Sequence, residues 1–354
     1  MPHSRPVVRR AISLVLAGVL LAAALVLALP PAHACDCGGL VSPEEDQVRV
    51  AQETAAISWD GQTERIVLSM SALAETEEAA LLLPTPSPAE VDLAADGVFA
   101  ELAQITAPQV QTEYRWWPES SSDTTAATAQ DADAVDVLRT VDLGPLEASV
   151  LSAGDAGALS QWLEEHGYVM GDALADTVSP YVAEGWYYLA IRLQTDQENL
   201  SGQLPPLDIT FESSTIIYPM RMSAAAEGPQ SVQTYVFADQ RVARTDPTAE
   251  NVPAQVRYAG RPDAGQVENP TVREMLGAGE YLTALDQTFS SPATQITSDF
   301  VFERSANGGD HREVATEVRM REILGYPAGP VLLTGGLAAL AAGAALRPWR
   351  LLRP

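Results

Sequence analysis

The chain reads as an α+β domain of mostly antiparallel sheet with three or four short helices, flanked by an N-terminal signal helix and a C-terminal transmembrane helix. Three observations predict this. Short runs of apolar–polar alternation recur along the sequence, as in Leu207, Ile209 and Phe211 set against Asp208, Thr210 and Glu212. Helical spacing is confined to a few brief stretches, such as Leu159, Trp162 and Leu163. Two uncharged apolar stretches, residues 11–29 and 331–346, bracket all 47 acidic residues.

At the N-terminus, Arg5, Arg9 and Arg10 precede the apolar stretch, and Pro30-Pro31-Ala32-His33-Ala34 follows it. A positive start, an apolar core and a small-x-small site predict a signal peptide over 1–34, cleaved after Ala34. An uncleaved anchor is the alternative, because the stretch is nearly long enough to span a bilayer. Acylation of Cys35 is disfavoured, since Ala32 stands where that reaction wants a large aliphatic residue.

An extracytoplasmic domain is expected over 35–326, with a break between two subdomains near 119–134. Within it, Ile57 and Trp59 alternate with polar neighbours, Asp60-Gly61 is a two-residue turn, and Ile66, Leu68 and Met70 return on one face, predicting a hairpin. Ala79–Leu83 reads as a strand stopped by Pro84-Thr-Pro-Ser-Pro88. Asp96 is expected to cap a short helix bearing Val98, Phe99, Leu102 and Ile105. Trp116-Trp117 at the following loop entrance suits a stacking platform or, more simply, the edge of a core.

Strands are predicted over 135–143 and 146–151, then a helix capped by Asp155 and ended by Gly167, with His166 in its last turn. Residues 186–193 are apolar on both faces, which places them mid-sheet. Ile216, Tyr218, Met220 and Met222 share a face, and Pro219 confines their strand to an edge or a bulge. Further strands are expected at 232–238 and 297–303, and a helix at 313–324. Residues 327–346 carry no charge and, at ~1.5 Å per residue, cover the ~30 Å hydrocarbon core; a buried helix is the alternative. Arg347, Trp349, Arg350 and Arg353 in the tail 347–354 are the expected cytoplasmic flank. The predicted location is therefore the cell membrane, single-pass, with the domain outside. Gly335, Ala339 and Gly343 smooth one face of the span.

The net charge is −26, and six of the 21 basic residues lie in the two termini, so the body is more acidic still. Nucleic acid is excluded as a partner; a basic protein surface or envelope component remains open, and the membrane is met through the C-terminal helix. Every basic residue is arginine, which removes Schiff-base lysines, P-loop lysines and Ser-x-x-Lys centres. Beyond the signal only His166 and His311 remain, in no zinc spacing, and no cofactor-binding loop is present. No metal or cofactor is expected, and no catalytic residues are assigned.

Cys35-Asp36-Cys37 is the one reactive-looking feature. A disulfide closing so short a loop gains only about 1.6 kcal/mol from chain entropy. The pair is a candidate disulfide or thiol site; thiol-redox chemistry or Cu(I) ligation are the alternatives. The sequence thus favours a non-enzymatic cell-surface binding domain. Its rivals are a thiol-redox or copper-handling protein using Cys35 and Cys37, and a hydrolase with a scattered Ser-His-Asp triad.

The Ala34-Cys-Asp-Cys-Gly-Gly39 opening, the Glu53–Glu64 hairpin, Leu83-Pro-Thr-Pro-Ser-Pro88 and Ile217-Tyr-Pro-Met-Arg221 together resemble an uncharacterised family of high-GC Gram-positive bacteria, domain of unknown function 2330. The resemblance spans most of 35–325 and implies an exported, membrane-tethered protein. It brings no activity and no catalytic residue.

Overall fold

The computed structural model describes residues 39–44, 48–117, 147–152, 156–194, 199–226 and 228–350, with side chains in the last helix through Ala344. The predicted signal segment, Cys35, Cys37, Asp155, the 119–134 loop, the 135–143 strand and Arg353 lie outside these residues. The α+β class and the mainly antiparallel pairing are as expected.

The backbone of the molecule is the predicted hairpin. Strands Val48–Trp59 and Thr63–Ala74 pair antiparallel with Ile57 opposite Ile66 and Ala55 opposite Leu68. Asp60 closes the turn, its carboxylate accepting the Gln62 and Thr63 N–H groups at 3.0 and 2.8 Å. The hairpin sits inside a nine-stranded sheet. On one side it pairs with Leu207–Glu212 and then Glu90–Leu93. On the other, Gln230–Ala238 joins parallel to Val48–Trp59, followed by Tyr281–Phe289, Gln255–Gly260 and His311–Arg312.

A second sheet orders Leu40–Val41, Glu78–Thr85, Tyr187–Gln194 and Glu147–Ser152. A third, smaller one orders Ile216–Tyr218, Phe300–Arg304 and Val242–Arg244. Strand periodicity explains how they stack. Ile57, Ile66 and Leu68 face Leu81, Leu83, Ile191 and Phe300 in one large core between the sheets. Ala80, Leu82 and Tyr188 point the other way, onto helices Ala156–Glu165 and Asp172–Ala183. Ala56, Val67, Tyr235 and Phe237 point outward from the large sheet onto helices Val98–Thr106 and Pro270–Ala278. The result is four layers, helix–sheet–sheet–helix, and it accounts for strands that are apolar on both faces.

Several expectations are corrected. Six α-helices precede the C-terminal one among the described residues, rather than three or four. Pro270–Ala278, for example, is capped by Asn269, whose side chain accepts the Thr271 and Val272 N–H groups. Helix Val98–Thr106 is preceded by Gly97 at φ 79°, not capped by Asp96. Residues 313–324 are not helical: Val314–Met320 is a strand parallel to Gln109–Arg115, and Glu322–Ile323 turns back onto Tyr326–Pro327. Val314 and Val318 lie four apart, a spacing that satisfies a helix face and a strand face alike, and the strand partner decides between them. Met222 leaves the face of Ile216, Tyr218 and Met220, because a 3-10 turn at Arg221–Ala225 follows Pro219 and sends it to the helical layer.

Gly39 shows why the opening segment is glycine-rich. It holds φ 82°, its carbonyl accepts the Leu82 N–H at 2.7 Å, and a Cβ there would lie 2.2 Å from the Leu82 oxygen. Gly39→Ala is expected to lower stability by at least about 2 kcal/mol; urea denaturation of the two proteins reads this as a shifted midpoint at constant slope.

Candidate functional site

The inward face of the hairpin carries two acids where the alternation calls for apolar residues. Glu53 lies in line with Ala55 and Ile57, and Glu64 with Ile66 and Leu68; both are buried. Each holds the segment that follows the Leu207–Glu212 strand. The Tyr218 hydroxyl donates to Glu53 Oε1, and the Ile217 N–H lies 3.1 and 3.2 Å from the two oxygens of Glu64. Burial pushes the Glu53 carboxyl up from the usual 4.5 to about 7, against the opposing effect of the Tyr218 hydrogen bond. Its Oε2 has no hydrogen-bond partner. Burial likewise raises Glu64 well above the carboxylate range, with the Ile217 and Ser213 contacts opposing it.

A third acid completes the clamp. Asp299 accepts the Met220 and Arg221 N–H groups at 2.8 and 3.0 Å, the Arg221 Nε at 2.7 Å, and the Tyr181 hydroxyl. Arg221 then reaches Glu184 with both terminal nitrogens at 2.7 Å and stacks 4.1 Å from the Tyr181 ring. This ties the small sheet to helix Asp172–Ala183. Nearby, the buried pair Arg244–Asp246 at 2.5 Å packs its guanidinium 3.3 Å from the Phe300 ring. Chemically, the clamp holds backbone in place.

An open cleft of about 380 Å³ lies at the turn end of the hairpin, lined by Trp59, Asp60, Asp239, Gln240, Glu303 and Arg304 among others. Trp59 is fixed by its Nε1–H, which donates to the Ser213 carbonyl at 2.9 Å. Hydrogen bonds from the Thr63 and Gln62 N–H groups hold Asp60 below the usual carboxylate range. The cleft therefore offers negative charge at its rim.

The predicted site residues are scattered. His166 Nδ1 lies 2.7 Å from the Trp162 carbonyl and its ring stacks on Trp162 at 3.9 Å, which is a helix-ending role. His311 is exposed in a short edge strand. Among the described residues, no group of three or more His, Cys, Asp or Glu is arranged to hold a metal ion. Trp116 and Trp117 close no core edge; both are exposed, beyond the end of the parallel ribbon Gln109–Arg115 and Val314–Met320. The helix Ala328–Arg350 starts beside them and includes Arg347 and Arg350 and Trp349 near its end. Among the residues whose side chains are described, which end at Ala344 within this helix, no helix is long and apolar enough to cross a membrane. Sequence reasoning missed Glu53, Glu64, Tyr218, Arg221 and Asp299, although an acid in register with an apolar strand face was a readable signal for the first two.

Two stacked sheets between helical layers, locked by buried acids on one connecting segment, define a four-layer α+β domain. The chain belongs to the family described as an uncharacterized protein conserved in bacteria (DUF2330), whose model matches residues 31–303. No curated protein matches it. Among solved structures it is similar to baculovirus P35, at 11% identity and a TM-score of 0.33, over 73% of this chain and 91% of that one.

The raised Glu53 carboxyl gives a pH signature. An acid that holds its proton more tightly folded than unfolded stabilises fully below its unfolded value, and that stability is lost as pH rises through the folded value. Stability is thus expected to fall between about pH 4.5 and about pH 7, by about 3 kcal/mol from this group. Denaturation series across that range check it, and Glu53→Gln should flatten the slope.

Proposed function

We propose that the chain is an exported domain, held outside the cell on its C-terminal helix, that acts by binding a partner rather than by catalysis. The observation that carries this is the helix itself. Over Leu332 to Leu340 it is exposed on every side, apolar, and uncharged, and it packs on the domain only through its first turn. An apolar helix exposed all round in water is unstable as such and calls for a non-aqueous setting. Its 23 residues extend ~35 Å at ~1.5 Å each, against a ~30 Å hydrocarbon core. Arg347, Trp349 and Arg350 at its far end suit the cytoplasmic interface, and the signal-like segment 1–34 supplies the export route.

The partner that the surface favours is cationic: a basic protein surface or envelope component. The support is the net charge of −26 and the cleft lined by Asp60, Asp239 and Glu303 against the single Arg304. Lipid headgroups of like charge repel the domain's body, which leaves the helix as the route of attachment.

Fractionation of producing cells tests the tether. Full-length protein is expected in the membrane fraction through a carbonate wash, and a chain ended after Tyr326 in the medium; full-length protein free in the cytosol would contradict the reading. Titration of that truncated chain with an arginine-rich peptide tests the partner class. Binding should weaken at least threefold on doubling the salt from 0.1 M and again in Asp239→Asn/Glu303→Gln; no binding at low salt would sink it.

A further inference from the structure

Two chain segments that are two hundred residues apart in sequence meet at the first turn of the C-terminal helix. The parallel ribbon carries both there: Gln109–Arg115 delivers Trp116 and Trp117, and Val314–Met320 delivers Arg321. The junction is specific. The Gly329 N–H donates to the Trp116 carbonyl at 2.8 Å, and the Ala328 N–H to the Arg321 carbonyl at 2.7 Å. A Cβ on Gly329 would sit 2.6 Å from the Trp117 ring, so only glycine lets the indole lie against the helix. Arg321 lies over the ring of Trp116 at 4.9 Å and that of Tyr114 at 5.4 Å.

These aromatics are built into the junction yet face outward. Trp116 is 44% and Trp117 52% exposed, and Tyr114 and Tyr326 are exposed beside them. Burial in a protein core is therefore not what they provide here. Their position is level with the start of an apolar helix, one ribbon length, ~23 Å by strand rise, from the layered body. Indole and phenol rings with an arginine among them match the boundary between acyl chains and phosphate groups, where rings supply an apolar body and a polar edge and the cation meets phosphate.

We propose that Trp116, Trp117, Tyr114, Tyr326 and Arg321 form a second membrane contact, an aromatic collar seated in the outer lipid interface around the emerging helix. It rests on the tether reading above. The collar fixes how the domain stands: the helix meets the membrane at one point, and the ribbon and the collar brace the body above it at a set height. It also explains why a two-stranded parallel ribbon, a pairing that ordinarily needs covered faces, is used as a spacer: it brings residues of both segments to the same level.

The test uses full-length protein carrying Trp349→Phe, reconstituted in phosphatidylcholine–phosphatidylglycerol vesicles that contain lipid brominated near the headgroup. The expected result is tryptophan quenching that falls at least twofold when Trp116→Phe and Trp117→Phe are added, while the protein still floats with the vesicles. Flotation with unchanged quenching overturns the collar alone and leaves these rings to a protein partner. Failure to float overturns the tether, and the collar with it.

Discussion

Glu53 and Glu64 are the constraint on which the packing depends. Both face the large core, where a bare carboxyl costs several kcal/mol, so the segment that hydrogen-bonds to them cannot leave without adding to that cost. The Tyr218 hydroxyl and the Ile217 N–H supply those contacts, and the small sheet is thereby pinned across the hairpin. Asp299 extends the same lock to the helical layer through Arg221 and Tyr181. Removing the partner of so buried a polar group leaves it unsatisfied at a cost of about 1–3 kcal/mol, a sizeable part of a domain's net stability. A few polar contacts thus fix how layers joined by apolar burial sit on one another.

The segments that carry the family resemblance converge on this lock. Glu53 and Glu64 end one of them, Ile217–Arg221 is another, and Gly39 accepts the Leu82 N–H. Within Leu83–Pro88, Ser87 donates to the Glu212 carbonyl at 2.8 Å, just ahead of the clamped segment. The features from which the proposed function is drawn, the acidic cleft, the ribbon and the C-terminal helix, lie at the periphery of the domain, and the ribbon's second strand and the helix lie beyond the residues matched to the family.

Local signals in the sequence were sufficient where one contact decides the structure. The Asp60-Gly61 turn, the two-faced apolar strand Tyr187–Gln194 and the end of strand Ile216–Tyr218 ahead of Pro219 all follow from neighbours in sequence. They fail where distant pairing decides. Val314–Met320 owes its conformation to Gln109–Arg115, two hundred residues earlier, and nothing within it distinguishes strand from helix. Glu53 and Glu64 look like solvated acids until the partner segment is in place. The Trp116-Trp117 pair gains its meaning from Gly329, which no local pattern connects to it.

Hydrogen exchange at single backbone amides tests the lock most directly. The Ile217 N–H, mid-strand, is given to Glu64 and the Met220 and Arg221 N–H groups, past the strand's end, to Asp299, so their protection derives from these two acids. If the carboxylates hold the layers together, these three amides exchange only as slowly as global unfolding allows, alongside those of the hairpin. Exchange at the rate of an exposed loop, while the hairpin stays protected, would contradict it.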